Sequence, residues 1–219
     1  MEARPPLFPL FLDLRDKSCL VVGGAGEAPQ KVAALLMAGA RVTIVARELD
    51  DGLFSLVREE KVEWRREDWS PDHLQGVWLV VSASTDPELN RRLDEETRRR
   101  RLPLNVVDAP QYGWAVWPAL VDRDPVRVAI SSGGSSPALA AYLRRRVEAT
   151  IPEGIGGLAR WLAAKRPGVA GQLAGLKERG RFWRRLFDEG LAERYLAGGG
   201  EGAEKALDEA VYRLREGRE

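Results

Sequence analysis

A chain of 219 residues, 44% apolar and 31% charged, has the composition of one or two globular domains at roughly 100–200 residues each. Thirty-four basic residues against thirty-three acidic ones leave a net charge of +1, which excludes a broadly basic nucleic-acid binder and an acidic solvating chain. A single cysteine, Cys19, and a single histidine, His73, exclude a disulfide framework, a cysteine-rich zinc site and any site built on two histidines.

No apolar run approaches the ~20 residues of a membrane helix. The stretch from Met1 to Phe11 lacks the apolar core and cleavage site of a secretory signal, so a cytoplasmic protein with no membrane contact is expected. Cys19-Leu20-Val21-Val22 reads as a buried parallel strand and runs into Gly23-Gly24-Ala25-Gly26. Val32, Leu35 and Leu36, ahead of Gly39, mark a helix, and Arg41 to Ala46 a second strand, so the segment is a βαβ unit. Val62 to Arg65 predicts a short strand and Val77 to Val81 a strong one. Asp86 is the expected N-cap, with Pro87 at the first position, of a helix reaching Arg101. Leu104 to Val107 follows as another strand. Strands alternating with helices predict an α/β, Rossmann-type, doubly wound parallel sheet.

Past Pro110 the pattern changes. Trp114 to Leu120 and Val126 to Ile130 read as two strands with no full helix between them, arranged antiparallel. A serine-glycine turn, Ser131 to Ser136, leads into a helix opened by Pro137 and running through Glu148. From Pro152 onward everything reads helical. Leu158, Trp161 and Leu162 form one apolar face, Phe182, Trp183, Leu186 and Phe187 another, and a break at Gly198 to Gly200 precedes a last helix from Ala203 to Arg215.

A strand that ends in glycines and opens a helix presents backbone N–H groups and a helix dipole to a phosphate. The pattern G-x-G-x-x-G/A is met imperfectly in either register, as Gly23, Ala25 and Ala28 or as Gly24, Gly26 and Pro29. In its strand–turn–helix setting this is a candidate dinucleotide-binding loop; an ordinary βα turn is the alternative. About 20 residues on, such folds carry the acid that holds the ribose hydroxyls. Here the second strand ends at Arg47 and Glu48. Glu48 suits NAD and Arg47 a 2′-phosphate, so NADP stays open, and a surface ion pair is the alternative for both. Ser84, past the strand Val77 to Val81, joins Gly23, Gly24, Ala25, Gly26 and Glu27 as a candidate cofactor contact.

Several segments together carry a resemblance. Phe8-Pro9-Leu10-Phe11-Leu12-Asp13-Leu14 precedes Val21-Val22-Gly23-Gly24. Asn105-Val106-Val107-Asp108-Ala109-Pro110 and Val128-Ala129-Ile130-Ser131-Ser132-Gly133-Gly134-Ser135-Ser136-Pro137 come later, and Arg181-Phe182-Trp183 lies in the helical tail. The combination resembles the siroheme synthase N-terminal module, a family of precorrin-2 dehydrogenases of which many are also sirohydrochlorin ferrochelatases. The resemblance implies a Rossmann NAD-binding domain at 1–112, a dimerisation segment at 113–150 and a helical domain at 151–219. It further implies an interlocked homodimer with the active site between domains, and a stand-alone enzyme, without the methyltransferase module of some relatives, that takes precorrin-2 from a separate protein. Two positions depart from the family. Ala25 stands where glycine is usual, and its methyl would crowd the pyrophosphate. Glu27 replaces a small apolar residue and brings a negative charge.

The implied reaction takes a hydride and a proton from precorrin-2 and gives sirohydrochlorin. Asp108 sits at the carboxyl edge of the sheet, where open α/β folds bind ligands. Its residue type and place leave it either a base or a turn aspartate capping Ala109-Pro110; the resemblance places the catalytic aspartate on it. The same carboxylate could serve Fe²⁺ insertion, with the tetrapyrrole supplying the metal ligands and no protein-built metal site. Ser131, Ser132 and Gly133, before a helix N-terminus, are candidate contacts for the substrate carboxylates, with Asn105 on the strand leading to Asp108. Ser136 is the expected N-cap, leaving Ser131 and Ser132 freer to meet ligand; some relatives are phosphorylated on the serine matching Ser132. His73 is expected in an exposed turn and Cys19 in the core. Trp114, Val116 and Trp117 are expected at a dimer or domain junction, and the arginine runs 98–101 and 144–146 on solvated helix faces. The competing reading is a non-enzymatic Rossmann sensor of nucleotide or tetrapyrrole; DNA binding, prompted only by the arginine runs, is a distant third that the charge balance argues against.

Overall fold

Apolar runs buried on both faces form the centre of a parallel sheet. The computed structural model describes residues 7–173 and 175–216, in two units, Met1–Trp117 and Pro118–Glu219. In the first, strands β1 (Ser18–Val22), β2 (Arg41–Val45), β3 (Glu63–Arg65), β4 (Val77–Ser82) and β5 (Leu104–Val106) alternate with helices α1 (Ala28–Met37), α2 (Asp51–Arg58) and α3 (Pro87–Arg100). The sheet order is β3-β2-β1-β4-β5, parallel throughout. This is the predicted Rossmann-type sheet.

Alternate residues of the central strands feed opposite layers, as the two-residue strand period requires. Cys19 and Val21 of β1 and Leu79 and Val81 of β4 join Val32, Leu35 and Leu53 on one face. Leu20, Val22 and Val80 join Leu93, Leu104 and Val106 on the other. Each such side chain contributes roughly 1.5–3 kcal/mol on burial. At the top of β4, the fully buried Ser82 donates to Asn90 Oδ1 at 2.7 Å, and Asn90 Nδ2 donates to Ser84 O at 2.9 Å, so the β4–α3 loop is tied to α3.

Helix α3 begins as expected, with Asp86 accepting from the Glu88 N–H and Pro87 in the first turn. Helix α2 has no counterpart in the sequence reading. It buries only Leu53 and is fixed by Asp50, whose carboxylate accepts from the Leu53 N–H at 2.9 Å. The expected strand from Trp114 is corrected: strand β6 starts only at Ala119, after Pro118. The segment before it leaves the sheet after one antiparallel bridge, Asn105 to Gly113. Gly113, at φ +74°, has no room for a Cβ, which would stand 2.3 Å from Leu104 O.

The second unit opens with β6 (Ala119–Arg123) and β7 (Val126–Ile130), the antiparallel pair the sequence predicts. Helices α4 (Pro137–Thr150), α5 (Ile155–Ala170), α6 (Leu176–Asp188), α7 (Leu191–Gly198) and α8 (Gly200–Arg215) follow. Val169, Leu186, Leu191, Ala203 and Leu207 form their core, ringed by Trp161, Leu162, Phe182 and Trp183. The predicted glycine break falls between α7 and α8, where Gly199 has φ +66°. The arginine runs lie on helix surfaces, with Arg98 paired to Asp94, Arg99 and Arg100 to Glu96, and Arg144 to Glu148. Among the described residues, no helix is long and apolar enough to cross a membrane.

Candidate functional site

The sheet order reverses between β1 and β4, and open α/β sheets bind ligands at the carboxyl ends of strands flanking such a reversal. A cleft of about 390 Å³ opens there. The β1–α1 turn supplies Gly23, Gly24, Ala25 and Gly26, the β4–α3 loop Ser84 and Thr85, and the ends of β2 and β3 supply Arg47, Glu48, Glu67, Asp68 and Trp69. Of the expected cofactor contacts, the cleft unites all but Glu27.

The glycines have separate causes. A Cβ on Gly24 would stand 2.0 Å from Glu48 O, so the turn packs too closely on the end of β2 for any other residue. Gly26 has φ +63° with open space around it, so backbone conformation, not packing, calls for glycine there. The turn is held from both sides, by Gly23 N–H to Val45 O at 3.0 Å and Asp50 N–H to Gly24 O at 2.9 Å. Helix α1 then begins with no side-chain cap at Glu27 and no acid in its first turn. A closely packed glycine turn, a helix end without a side-chain cap and a cleft of this size fit a dinucleotide phosphate. Ala25 lies exposed in the cleft lining. The Glu27 carboxylate lies 3.6 Å from Lys31 Nζ, which sits 5.0 Å above the Trp117 ring.

The far rim is charged. Arg47 Nε donates to Asp68 Oδ1 at 2.6 Å, and a second guanidinium nitrogen meets the other carboxylate oxygen. Arg47 holds the Asp68 carboxyl below its ordinary pKa. Trp64 Nε1 donates to Ala46 O at 2.9 Å and Arg66 Nε to Arg47 O at 3.2 Å, fixing the turn that carries Arg47. His73 is corrected from an exposed turn to a packed position with its side chain 8% exposed. The Ser70 N–H donates to its Nδ1 at 3.0 Å, which leaves the proton on Nε2, 3.1 Å from Glu67 Oε1. Glu67, Asp68, Trp69 and Thr85 were missed by sequence reasoning. The signal for the first three was the short strand β3, whose position beside β2 no local pattern announces.

Asp108 lies just past β5, exposed, at φ +55°. Aspartate enters this left-handed region more readily than most non-glycine residues. Among the described residues, no hydrogen bond or ion pair engages its carboxylate, which stands exposed to solvent. Asn105 is buried. Its Nδ2 donates to Ala115 O at 3.0 Å, while its Oδ1 is buried without a partner. That side chain therefore already supports the 113–115 segment.

The second unit holds the serine turn. Ser136 caps α4 as expected, accepting from the Leu139 N–H at 3.2 Å. The expected freedom of Ser131 and Ser132 is corrected. The Ser132 hydroxyl donates to Ser136 O at 3.0 Å and accepts from the Ser136 N–H at 3.2 Å, and Ser131 Oγ accepts from the Gly133 N–H at 3.1 Å. The hydroxyls close their own turn because its backbone has no strand or helix partner. Cys19 is 1% exposed, and burial pushes its thiol up to about 11. Among the described residues, no group of three or more His, Cys, Asp or Glu side chains is placed to hold a metal ion.

Three family models match in succession. Residues 10–119 match one described as putative NAD(P)-binding, 123–150 one described as the sirohaem biosynthesis protein central region, and 154–211 one described as the sirohaem synthase dimerisation region. A siroheme synthase of Neisseria meningitidis serogroup B is 39% identical over 202 residues, covering 87% of this chain and 42% of that one. A siroheme synthase of Nitrosospira multiformis is 41% identical over 204 residues, covering 91% and 43%. The chain thus spans less than half the length of these relatives. A solved structure described as SirC, precorrin-2 dehydrogenase, has the same fold, with a TM-score of 0.76 at 20% identity over 94% of this chain and 100% of that one.

Proposed function

The chain belongs to the siroheme synthase N-terminal module family, and we propose that it oxidises precorrin-2 to sirohydrochlorin with NAD⁺. The observation that carries this reading is the glycine-lined cleft at the sheet's reversal, with the unengaged carboxylate of Asp108 at the end of β5. Gly23, Gly24, Ala25 and Gly26 would hold the cofactor phosphates with the start of α1, while Glu48 faces the ribose hydroxyls and Ser84 the other side of the cleft. The bound nicotinamide supplies a hydride acceptor, chemistry no side chain can offer. Asp108 would accept the proton that precorrin-2 loses alongside the hydride, which balances the two-electron oxidation to sirohydrochlorin.

Fe²⁺ insertion into sirohydrochlorin belongs to the same proposal as a second activity, with Asp108 accepting one of the two pyrrole protons displaced, the other passing to solvent, and the macrocycle ligating the metal substrate. The acidic tetrapyrrole is the ligand proposed for the Ser131–Gly133 turn, through backbone N–H groups and not the hydroxyls, and for the strand end at Asn105. A homodimer is proposed from the match of residues 154–211 to the dimerisation region and, separately, from helix α4, which lies outside that match. That helix lies against β6 and β7 yet has no buried residue, and it exposes Leu139, Tyr142 and Leu143. The proposed division is 1–112 for the cofactor, 113–150 for dimerisation and 151–219 for the helical domain, in a cytoplasmic protein.

The test is incubation of the purified protein with precorrin-2 and NAD⁺. The expected result is NADH and the sirohydrochlorin spectrum forming together; no turnover above a protein-free control would contradict the reading. Sirohydrochlorin supplied with Fe²⁺ or Co²⁺ tests the second activity, which is withdrawn if metal enters no faster than in buffer.

A further inference from the structure

The rim of the cleft at the ends of β2 and β3 carries one base and three acids. Arg47 is the base; Glu48, Glu67 and Asp68 are the acids, and all four line the cleft. Their formal charges, one positive and three negative, sum to about −2. Among the described residues that line the cleft, Arg47 is the only cation, and its fork is already taken by the two oxygens of Asp68; Arg66 lies beside it and spends its Nε on Arg47 O. The pair is solvent-exposed, at 76% and 70%, so what distinguishes it is its two-point fork geometry, which is selective, and not burial.

Both ends of that pair are anchored. The carbonyls of Ala46 and Arg47 accept from Trp64 and Arg66. Asp68 precedes Trp69, which is 6% exposed and packs in the core. Glu67 is held by His73, while the Glu48 carboxylate has no partner among the described residues. An unpartnered acid at the end of the second strand is the group that accepts from a ribose 2′-hydroxyl, and an arginine there is the group that accommodates a 2′-phosphate.

Resting on the reading of this cleft as a nicotinamide dinucleotide site, we infer that Asp68 sets its cofactor specificity by occupying Arg47, so that the site takes a dinucleotide with a free 2′-hydroxyl and rejects one with a 2′-phosphate. Glu48 binds the hydroxyl. A 2′-phosphate, with a charge of roughly −1.5 to −2, meets Glu48 and Glu67 and must displace Asp68 from Arg47 before it gains a cation. Asp68 touches neither reacting atom and acts through Arg47 alone, which makes it a positioning residue.

The experiment measures equilibrium dissociation constants of NAD⁺ and NADP⁺ for the full chain, its Asp68→Asn variant and the double variant Asp68→Asn/Arg47→Ala, with circular dichroism to confirm folding. The Asp68 side chain is 70% exposed, so the substitution removes no core packing. The unsubstituted chain is expected to bind NAD⁺ about tenfold or more tighter than NADP⁺. Asp68→Asn is expected to narrow that ratio by about tenfold, the scale of one charge-assisted contact, and the double variant to restore it. A chain that prefers NADP⁺ overturns the inference without any variant. So does a folded Asp68→Asn variant with an unchanged ratio, or a gain that survives loss of Arg47. Binding of neither cofactor by the unsubstituted chain overturns the dinucleotide reading itself.

Discussion

Single residues in this fold are set by their immediate surroundings, and some of those surroundings are visible in sequence. Cys19 lies in an apolar run, which is enough to place it in the core. Its thiol, raised by burial from an ordinary 9.0 to about 11, is expected to resist alkylation at pH 8 and to react once denaturant is added; prompt native-state labelling would contradict its burial. The linkage follows the same sign. A thiol with a raised folded pKa costs no stability below its ordinary value, and stability falls as the pH rises from there through about 11. Gly24 looks like one glycine of several, but only the folded turn shows Glu48 O at 2.0 Å from its missing Cβ. Gly24→Ala is therefore expected to abolish measurable cofactor binding, whereas Ala25→Gly, at an exposed position, leaves the fold intact. Titration of both variants with NAD⁺ against circular dichroism checks this. The pairings of Arg47 with Asp68 and of Ser132 with Ser136 were illegible beforehand. The first depends on two strands meeting, and the second on a turn whose conformation the sequence does not specify.

At the scale of elements, legibility follows burial. Strands β1 and β4 are buried on both faces, so their sequences are unbroken apolar runs, and the parallel sheet could be read from them. Helix α2 buries one side chain and leaves no strong period, whereas β3, at three residues, was legible as a short strand from Val62 but not in its place beside β2. The strand expected from Trp114 begins late because Pro118 lacks a ladder donor and the segment before it is held to Leu104 O by the amides of Trp114 and Ala115. Leu93 of α3, fully buried against β4 and β5, is expected to cost about 2–5 kcal/mol on change to alanine, read as a lowered denaturation midpoint. Ser136→Ala removes the cap of α4 and is expected to cost about 1 kcal/mol; a change within error at both sites would show that these packing and capping contacts carry little of the stability.

For the molecule as a whole, the sequence disclosed a nucleotide-binding unit followed by a hairpin and helices, and its family resemblance implied a second copy of the chain. A two-stranded hairpin is marginal by itself, and α4 leaves Leu139 and Leu143 uncovered on one face. A second copy of the chain is the proposed cover. Light scattering is expected to give twice the 24.3 kDa of one chain, and Leu139→Glu with Leu143→Glu is expected to halve that mass while leaving the helix content unchanged. A monomer before substitution would refute the assignment. The central claim concerns chemistry: a free carboxylate at Asp108 takes the proton while the glycine-lined cleft holds the hydride acceptor. Its most direct test is the rate of NADH formation from precorrin-2 and NAD⁺ by the unsubstituted chain and by Asp108→Asn, with NAD⁺ affinity measured on both. The account predicts a rate loss of about 100-fold or more, the scale of general base catalysis, at unchanged NAD⁺ affinity; an Asp108→Asn protein that turns over at the original rate would contradict it.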